Sequence, residues 1–341
     1  MAGRRLDAPP GRRAVVVSQD LSYILPYRSR PGDGNEEELD RYVRWLSRRV
    51  QLIVVDGSDP DRVRAHRERW ASIATHAVPD ADVRCLNGKV RGVLTGLRRA
   101  RHEHVIIADD DVRYDDEALL RMQELLRNAD LVRPQNFFDP IPWHAHWDTS
   151  RMLLNRALGN DHPGTLGVRR SFLTSIGGYD GDVLFENLEL VRTVLAAGGR
   201  VVDAPGMYVR RLPPTTARFL EQRPRQAYDD LAQPARLAFF LVLGPALWTV
   251  ARRRPGGLLA AAGASVLVAQ VGRLRHGGNS VFDRVSPFFA PFWMVERACL
   301  VWLAVFRRFS RGGCTYAGGV IRRAATPPRV LRRRLRGRLA G

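Results

Sequence analysis

The sequence predicts an α/β domain on a mostly parallel sheet, followed by membrane-associated helices. Three observations carry this. Residues 14 to about 212 alternate short apolar runs with helical patterns, which is how a sheet covered by crossover helices reads. Beyond Pro234 the chain becomes apolar over stretches approaching bilayer thickness. The length, 341 residues, suits one domain of roughly 200 residues plus something smaller.

The predicted strands are Ala14–Ser18, Ser22–Pro26, Gln51–Val55, Asp82–Cys85, His104–Ala108 and Arg200–Asp203. Each is a short run bounded by polar or turn-forming residues. Helical periodicity covers Glu36–Arg49, Asp61–Ala74, Val90–Arg101, Asp116–Asn128, Trp147–Leu158 and Glu186–Ala197. The last stops at Gly198-Gly199, a favoured C-terminal signal. No internal repeat is visible.

The chain carries 54 basic and 35 acidic residues, a net charge of +19. Lys89 is the one lysine, an arginine bias expected of a GC-rich bacterial genome. From Arg307 onward there are eleven arginines and no acidic residue. Such a run suits nucleic acid or an anionic membrane surface, and the apolar region before it favours the membrane. Cys85, Cys299 and Cys314 fit no zinc spacing and no disulfide framework. Met1–Arg13 is polar, reads as disordered and lacks the apolar core of a signal peptide, so the first domain is expected in the cytoplasm.

Leu237–Ala251 is free of charge and ends at Arg252-Arg-Arg254; Pro255–Gly272 ends at Arg273. Fifteen helical residues span about 22 Å, short of a core of about 30 Å, and flanking arginines can snorkel to close the gap. Pro287–Phe306 contains Glu296 and Arg297, each costing roughly 2.5–3.5 kcal/mol at the bilayer centre, so it reads as a poor span. The expectation is two spans within 234–306 and a third helix in the interface or against protein. By the positive-inside rule the first domain and the tail over 307–341 face the cytoplasm, which calls for an even number of spans.

Chemistry concentrates where Val105–Ala108 runs into Asp109-Asp-Asp111. Side chains alternate along a strand, so Asp109 and Asp111 leave its end toward the same side. Two such carboxylates repel unless a positive group sits between them. Mg²⁺ or Mn²⁺, which takes a few carboxylates plus substrate phosphates, is one candidate. A polar turn capping the helix opened by Asp115, Asp116 and Glu117 is the other. Val54-Val-Asp-Gly-Ser58 is a second strand ending in a carboxylate, Asp56. Asn87-Gly-Lys89 precedes a helix. Gly177-Gly-Tyr-Asp180 leads to Phe185-Glu-Asn-Leu-Glu189, and Gln222-Arg-Pro-Arg-Gln226 stands just before the apolar region.

In this order the motifs resemble those of family-2 glycosyltransferases with the GT-A fold, membrane-associated and similar to ceramide glucosyltransferases. The resemblance covers about Ala14 to Pro234, taken as a catalytic domain over 14–233. It implies that Asp56 contacts the donor base, with Lys89 near the nucleotide or its phosphates. It implies that Asp109 and Asp111 hold Mn²⁺ or Mg²⁺ on the donor diphosphate, and that Gly177–Glu189 carries the catalytic base. Gln222 and Arg225 correspond to the family's Gln-x-x-Arg-Trp, with Arg225 a second clamp on the diphosphate. Two departures stand out. The family's Glu-Asp is Glu186-Asn187 here, so Glu186, or else Glu189, must serve as base, or the segment has shifted, or the chain is a catalytically degenerate binding protein. The family's Trp is Gln226, which argues against processive synthesis.

The implied reaction is inverting transfer of a sugar, commonly from a uridine-diphosphate hexose, to a lipid or lipid-linked acceptor at the cytoplasmic membrane. Trp143–Trp147 and His162–Thr165 fall where acceptor loops lie in this fold. His144 and His146 read as acceptor-loop or packing residues, and Asp148 as a cap for Thr149–Leu158. A nucleotidyltransferase is the rival within enzymes, but Ser22–Arg28 lacks its glycine-rich loop. A nucleic-acid-binding role is disfavoured because the arginine tail lacks stacking aromatics.

Overall fold

A computed structural model describes residues 20–29, 36–159, 161–316 and 319–339. The expected disordered start and the strand Ala14–Ser18 lie outside the described residues. The first half runs β1 (Leu21–Tyr27), α1 (Glu36–Leu46), β2 (Gln51–Asp56), α2 (Pro60–Trp70), β3 (Thr75–Ala77), α3 (Gly88–Arg99), β4 (His104–Ala108), β5 (Val112–Arg113), α4 (Asp116–Leu126), β6 (Leu131–Phe138) and α5 (Trp143–Leu158). It continues through β7 (Thr165–Arg169), α6 (Arg170–Ser175), α7 (Glu186–Ala196), β8 (Val201–Arg211) and α8 (Thr216–Tyr228). The remainder is α9 (Pro234–Arg253), α10 (Gly256–Leu274), α11 (Ala290–Ser310), the hairpin β9 (Cys314–Tyr316) and β10 (Gly319–Ile321), and α12 (Pro328–Leu339).

One eight-stranded sheet has the order β3-β2-β1-β4-β7-β6-β8-β5. Its first four strands are parallel, and β7 enters antiparallel between β4 and β6. The C-terminal ends of β2 and β4 therefore open on one edge, where α/β sheets bind ligands. Both faces are covered. Tyr23, Leu25, Val54 and Ile106 pack on one side with Val43 of α1 and Leu119 of α4; Ile24, Ile53, Val105 and Ile107 pack on the other with Val93 of α3 and Val194 of α7. That is why these strands read as continuous apolar runs. A Cβ on Gly96 would lie 2.5 Å from Ile24 Cγ2, so α3 rests directly on β1.

Some expectations fail for identifiable reasons. Asp82–Cys85 is not a strand: Arg98 and Arg99 hold Asp80 and Asp82 in a turn, and β3 takes the sheet edge instead. Strand β6 carries Arg133, Pro134, Gln135 and Asn136, so no apolar run marked it. Asp148 does not cap a helix; α5 begins at Trp143 and Asp148 lies inside it, bonded to Arg223.

Three helices are long and apolar enough to cross a membrane, Pro234–Arg253, Gly256–Ser280 and Ser286–Ser310. The charges of the third turn inward. Glu296 accepts hydrogen bonds from Arg223 and from Trp147 Nε1, and Arg297 sits 3.4 Å from Asp230. Phe288, Phe292, Trp302 and Phe309 remain exposed. Helix α10 docks on α5 through Gly272, where a Cβ would fall 1.9 Å from the Leu153 carbonyl oxygen. The segment read as an arginine-rich tail folds back on the first domain. Leu184 and Phe185 donate backbone hydrogen bonds to Arg323 and Ala324, and Leu335 of α12 is buried in the core shared with α7.

Candidate active site

A cleft of about 540 Å³ opens at the C-terminal ends of the parallel strands. The loop after β4 turns tightly, with Val112 N donating to Asp109 O, and β5 then pairs with the end of β8. That pairing sets Arg211 beside the acidic triplet. Arg211 Nη2 lies 2.9 Å from Asp111 Oδ2 and 3.4 Å from Asp109 Oδ2. Lys89 reaches the other oxygen, Asp109 Oδ1, at 2.5 Å. The positive charge required between the carboxylates is thus supplied by side chains. Burial would raise the Asp109 pKa, but Lys89 and Arg211 outweigh it and hold the carboxyl below its usual range.

Lys89 is placed by its cap. Asn87 Oδ1 accepts from the backbone of Lys89 and Val90, starting α3 with the lysine in its first turn. Its ammonium also meets Glu186 Oε1 at 2.9 Å and Asn187 Oδ1 at 3.2 Å. Burial would lower the Lys89 pKa, yet Asp109 and Glu186 hold it above normal. Lys89 therefore joins the acidic triplet to the start of α7. Asn187 in turn donates to the Pro163 carbonyl at 2.8 Å. Next to Pro163, Gly164 fits where a Cβ would be 2.7 Å from Asp109 Oδ2 and 3.1 Å from Arg211 Cζ.

Glu186, Asn187, Gln222 and Arg225 all line the cleft, as do Lys89, Asp109 and Asp111. Arg225 has no ion pair or hydrogen bond among the described residues; its guanidinium lies over the Tyr316 ring, 5.0 Å from the centroid. Glu189 points elsewhere. It is fully buried and accepts from Thr326 N at 2.6 Å, tying α7 to the C-terminal segment.

Asp56 does not line the cleft; Val55 and Gly57 do. Its carboxylate receives His66 at 2.7 Å, His76 at 3.2 Å and Ser58 N at 2.9 Å. Burial would raise its pKa, but the hydrogen bonds from His76, Ser58 and His66 outweigh it and hold it at about 2. The carboxylate shapes the turn after β2. His144 and His146 have separate partners, Pro214 O and Ser286 Oγ. His162 lines the cleft against Phe185, while Trp143 and Trp147 lie outside its lining.

Among the described residues no group of three or more His, Cys, Asp and Glu converges on one point. The pair Asp109 and Asp111 suits a hard divalent cation that completes its shell with phosphate oxygens and water. Asp111 Oδ1 is buried and has no hydrogen-bond partner, as a free ligand oxygen would. Sequence reasoning missed Arg211, Tyr316 and Asp229, all of which line the cleft. Arg211 is one of many arginines, and Tyr316 reaches the site only because the C-terminal segment folds back.

A family model described as Glycosyl transferase family 2 matches residues 25–176. Over the chain, the fold resembles a mannosyltransferase from Pyrobaculum calidifontis solved in complex with GDP-Man and Mn²⁺. The TM-score is 0.53 at 20% identity, covering 86% of this chain and 88% of that one. A glucosyl-3-phosphoglycerate synthase from Mycobacterium tuberculosis gives a TM-score of 0.41 at 16% identity, over 63% and 81% of the two chains. A molybdenum cofactor guanylyltransferase from Pseudomonas entomophila is 36% identical over 100 residues, 27% of this chain. The match spans about half, 51%, of that relative's length. Residues 25–176 thus match a family 2 glycosyl transferase model, and the fold of the chain is of the GT-A kind.

Proposed function

We propose that the protein is a non-processive, inverting glycosyltransferase that moves a sugar from a nucleotide-sugar donor to a lipid or lipid-linked acceptor. The observation that carries this is a single cleft joining the Asp109–Asp111 pair, the Glu186–Asn187 helix start and Arg225, next to three apolar helices. In the proposed division, 14–233 is catalytic and 234–306 is membrane-embedded, with the catalytic domain on the cytoplasmic face. Asp109 and Asp111 hold the divalent cation, Mn²⁺ being the ion in the solved mannosyltransferase. When bound, the cation neutralises charge growing on the departing diphosphate. Arg225 and Arg211 clamp the diphosphate from either side, guanidinium being suited to bidentate phosphate contact. Gln222 and the Val55–Gly57 edge border the donor, and Lys89 keeps the metal carboxylates and Glu186 in register. Glu186 is essential to acceptor activation, whereas Asn187 is a hydrogen-bonding spacer.

A uridine-diphosphate hexose is the first donor to test, on the motif resemblance. A guanosine-diphosphate sugar is the second, on the names of two matched proteins. The guanylyltransferase match also supports nucleotidyl transfer as a second reading, and the two differ in what they release. Detergent-purified protein, membrane lipids, Mn²⁺, Mg²⁺ or EDTA, and a panel of donors distinguish them. Glycosyl transfer releases a nucleoside diphosphate from one sugar nucleotide and stops with EDTA. Release of pyrophosphate from a nucleoside triphosphate, with no sugar-nucleotide turnover, would replace the proposal.

A further inference from the structure

Asp229 follows the last residue of α8, one helical turn beyond Arg225, so the two side chains share a face. It lines the same cleft as Asp109 and Glu186. Its Oδ1 is buried and has no hydrogen-bond partner. A buried polar atom left unpaired costs free energy, and such atoms collect at functional sites. The charged groups facing it are Arg225 on its own helix, Glu186 from α7, Arg297 from α11 and the neighbouring Asp230; the Cys314 thiol approaches from β9. Burial pushes the carboxyl up to about 7, against Arg225, and the Glu186 charge adds to the rise. A general base works best with a pKa near the operating pH and a free lone pair.

The residues expected to supply the base are otherwise constrained. Asn187 cannot accept a proton, and Glu186 has one oxygen held by the Lys89 ammonium. Resting on the glycosyl-transfer reading, we propose that Asp229 is the catalytic base that takes the proton of the acceptor hydroxyl. Glu186 is a positioning residue that holds Lys89 and keeps Asp229 basic. The acceptor O–H bond breaks and its proton moves to an Asp229 carboxylate oxygen. The acceptor oxygen forms the new bond to the anomeric carbon. The bond from that carbon to the diphosphate breaks, and its electron pair leaves with the diphosphate.

The test uses the full chain in detergent with Mn²⁺, membrane lipid extract, and UDP-glucose and GDP-mannose as probes. Wild-type release of nucleoside diphosphate establishes the reaction class, and its absence with both donors would remove the transfer reading and Asp229 together. Given turnover, Asp229→Asn is expected to lower kcat at least about a hundredfold with donor KM nearly unchanged. Wild-type kcat should rise with pH through about 7, and this limb should vanish in the variant. Added formate should restore part of the turnover of Asp229→Ala. A structural carboxylate would behave differently. An acid whose folded pKa is raised contributes stability that is present at low pH and lost as pH rises through the folded value. Asp229→Asn should therefore melt no lower than wild type above pH about 7. Wild-type kcat in Asp229→Asn, or a lower melting temperature accompanied by lost donor binding, would overturn the assignment.

Discussion

Asp111 is the residue on which the metal assignment turns. Its Oδ2 is held by Arg211 while its Oδ1 is buried and unbonded. Asp111→Asn keeps the shape and removes the charge, so transfer should fall at least about a hundredfold while the fold survives. Near-normal turnover with unchanged Mn²⁺ dependence would refute the assignment. Gly164 supplies a second test. An added Cβ would press on Asp109 Oδ2 and Arg211, the ends of two movable side chains, and not on backbone. Gly164→Ala should leave stability within about 1 kcal/mol of wild type but weaken Mn²⁺-dependent donor binding about tenfold. Isothermal titration with the donor and thermal melting separate these effects. For the helix start, Glu186→Gln should reduce turnover far more than Asn187→Ala, because only the first strips Lys89 of a carboxylate partner. The reverse order in initial rates would place the family's catalytic position at 187.

At the scale of elements, legibility followed burial. β1, β2 and β4 were readable because both faces are covered, which leaves unbroken apolar runs. Helix α3 was readable except for its start, because Asn87-Gly-Lys89 is a cap. Strand β6 was not, since its Asn136 is buried to hold the backbone of Gly164 and Val209, a role with no periodicity. Asp56 kept the place expected of it but not the contact, since the partners that enclose it, His66 and His76, come from α2 and β3. The helix α11 shows how charge placement matters. Glu296 and Arg297 put two charges into an apolar helix, and they join it to α8 through Arg223 and to the turn after α8 through Asp230. Arg223 also binds Asp148 at 2.6 Å, so one guanidinium fastens α5, α8 and α11. Removing it as Arg223→Ala leaves two carboxylates without their partner, a loss of roughly 3–5 kcal/mol. The variant should unfold at lower denaturant and lose activity, since α8 carries Gln222 and Arg225. Wild-type stability would show that α11 is held by its apolar contacts alone.

For the whole molecule, the C-terminal segment closes a circuit. The chain leaves the catalytic sheet through α8, passes through three apolar helices, and returns as β9, β10 and α12. It brings back Tyr316 beneath Arg225, backbone acceptors for Leu184 and Phe185 just before Glu186, and Thr326 against Glu189. A basic tail built only to touch lipid would need none of these contacts. Buried Leu331 and Leu335 instead give α12 an apolar face against the catalytic domain. Truncation after Ser310 should therefore leave detergent-dependent extraction unchanged, because the apolar helices remain. It should lower turnover steeply, because the α7 start loses its supports and Glu189, whose carboxyl burial already raises above its usual range, loses the Thr326 hydrogen bond. Point variants separate packing from chemistry within the same segment. Tyr316→Phe keeps the ring under Arg225 and should stay active, whereas Tyr316→Ala should raise the donor KM by freeing the guanidinium from its π contact. A truncated protein with full turnover would reduce the returning segment to a surface feature. Loss of turnover with membrane association intact makes it part of the catalytic unit.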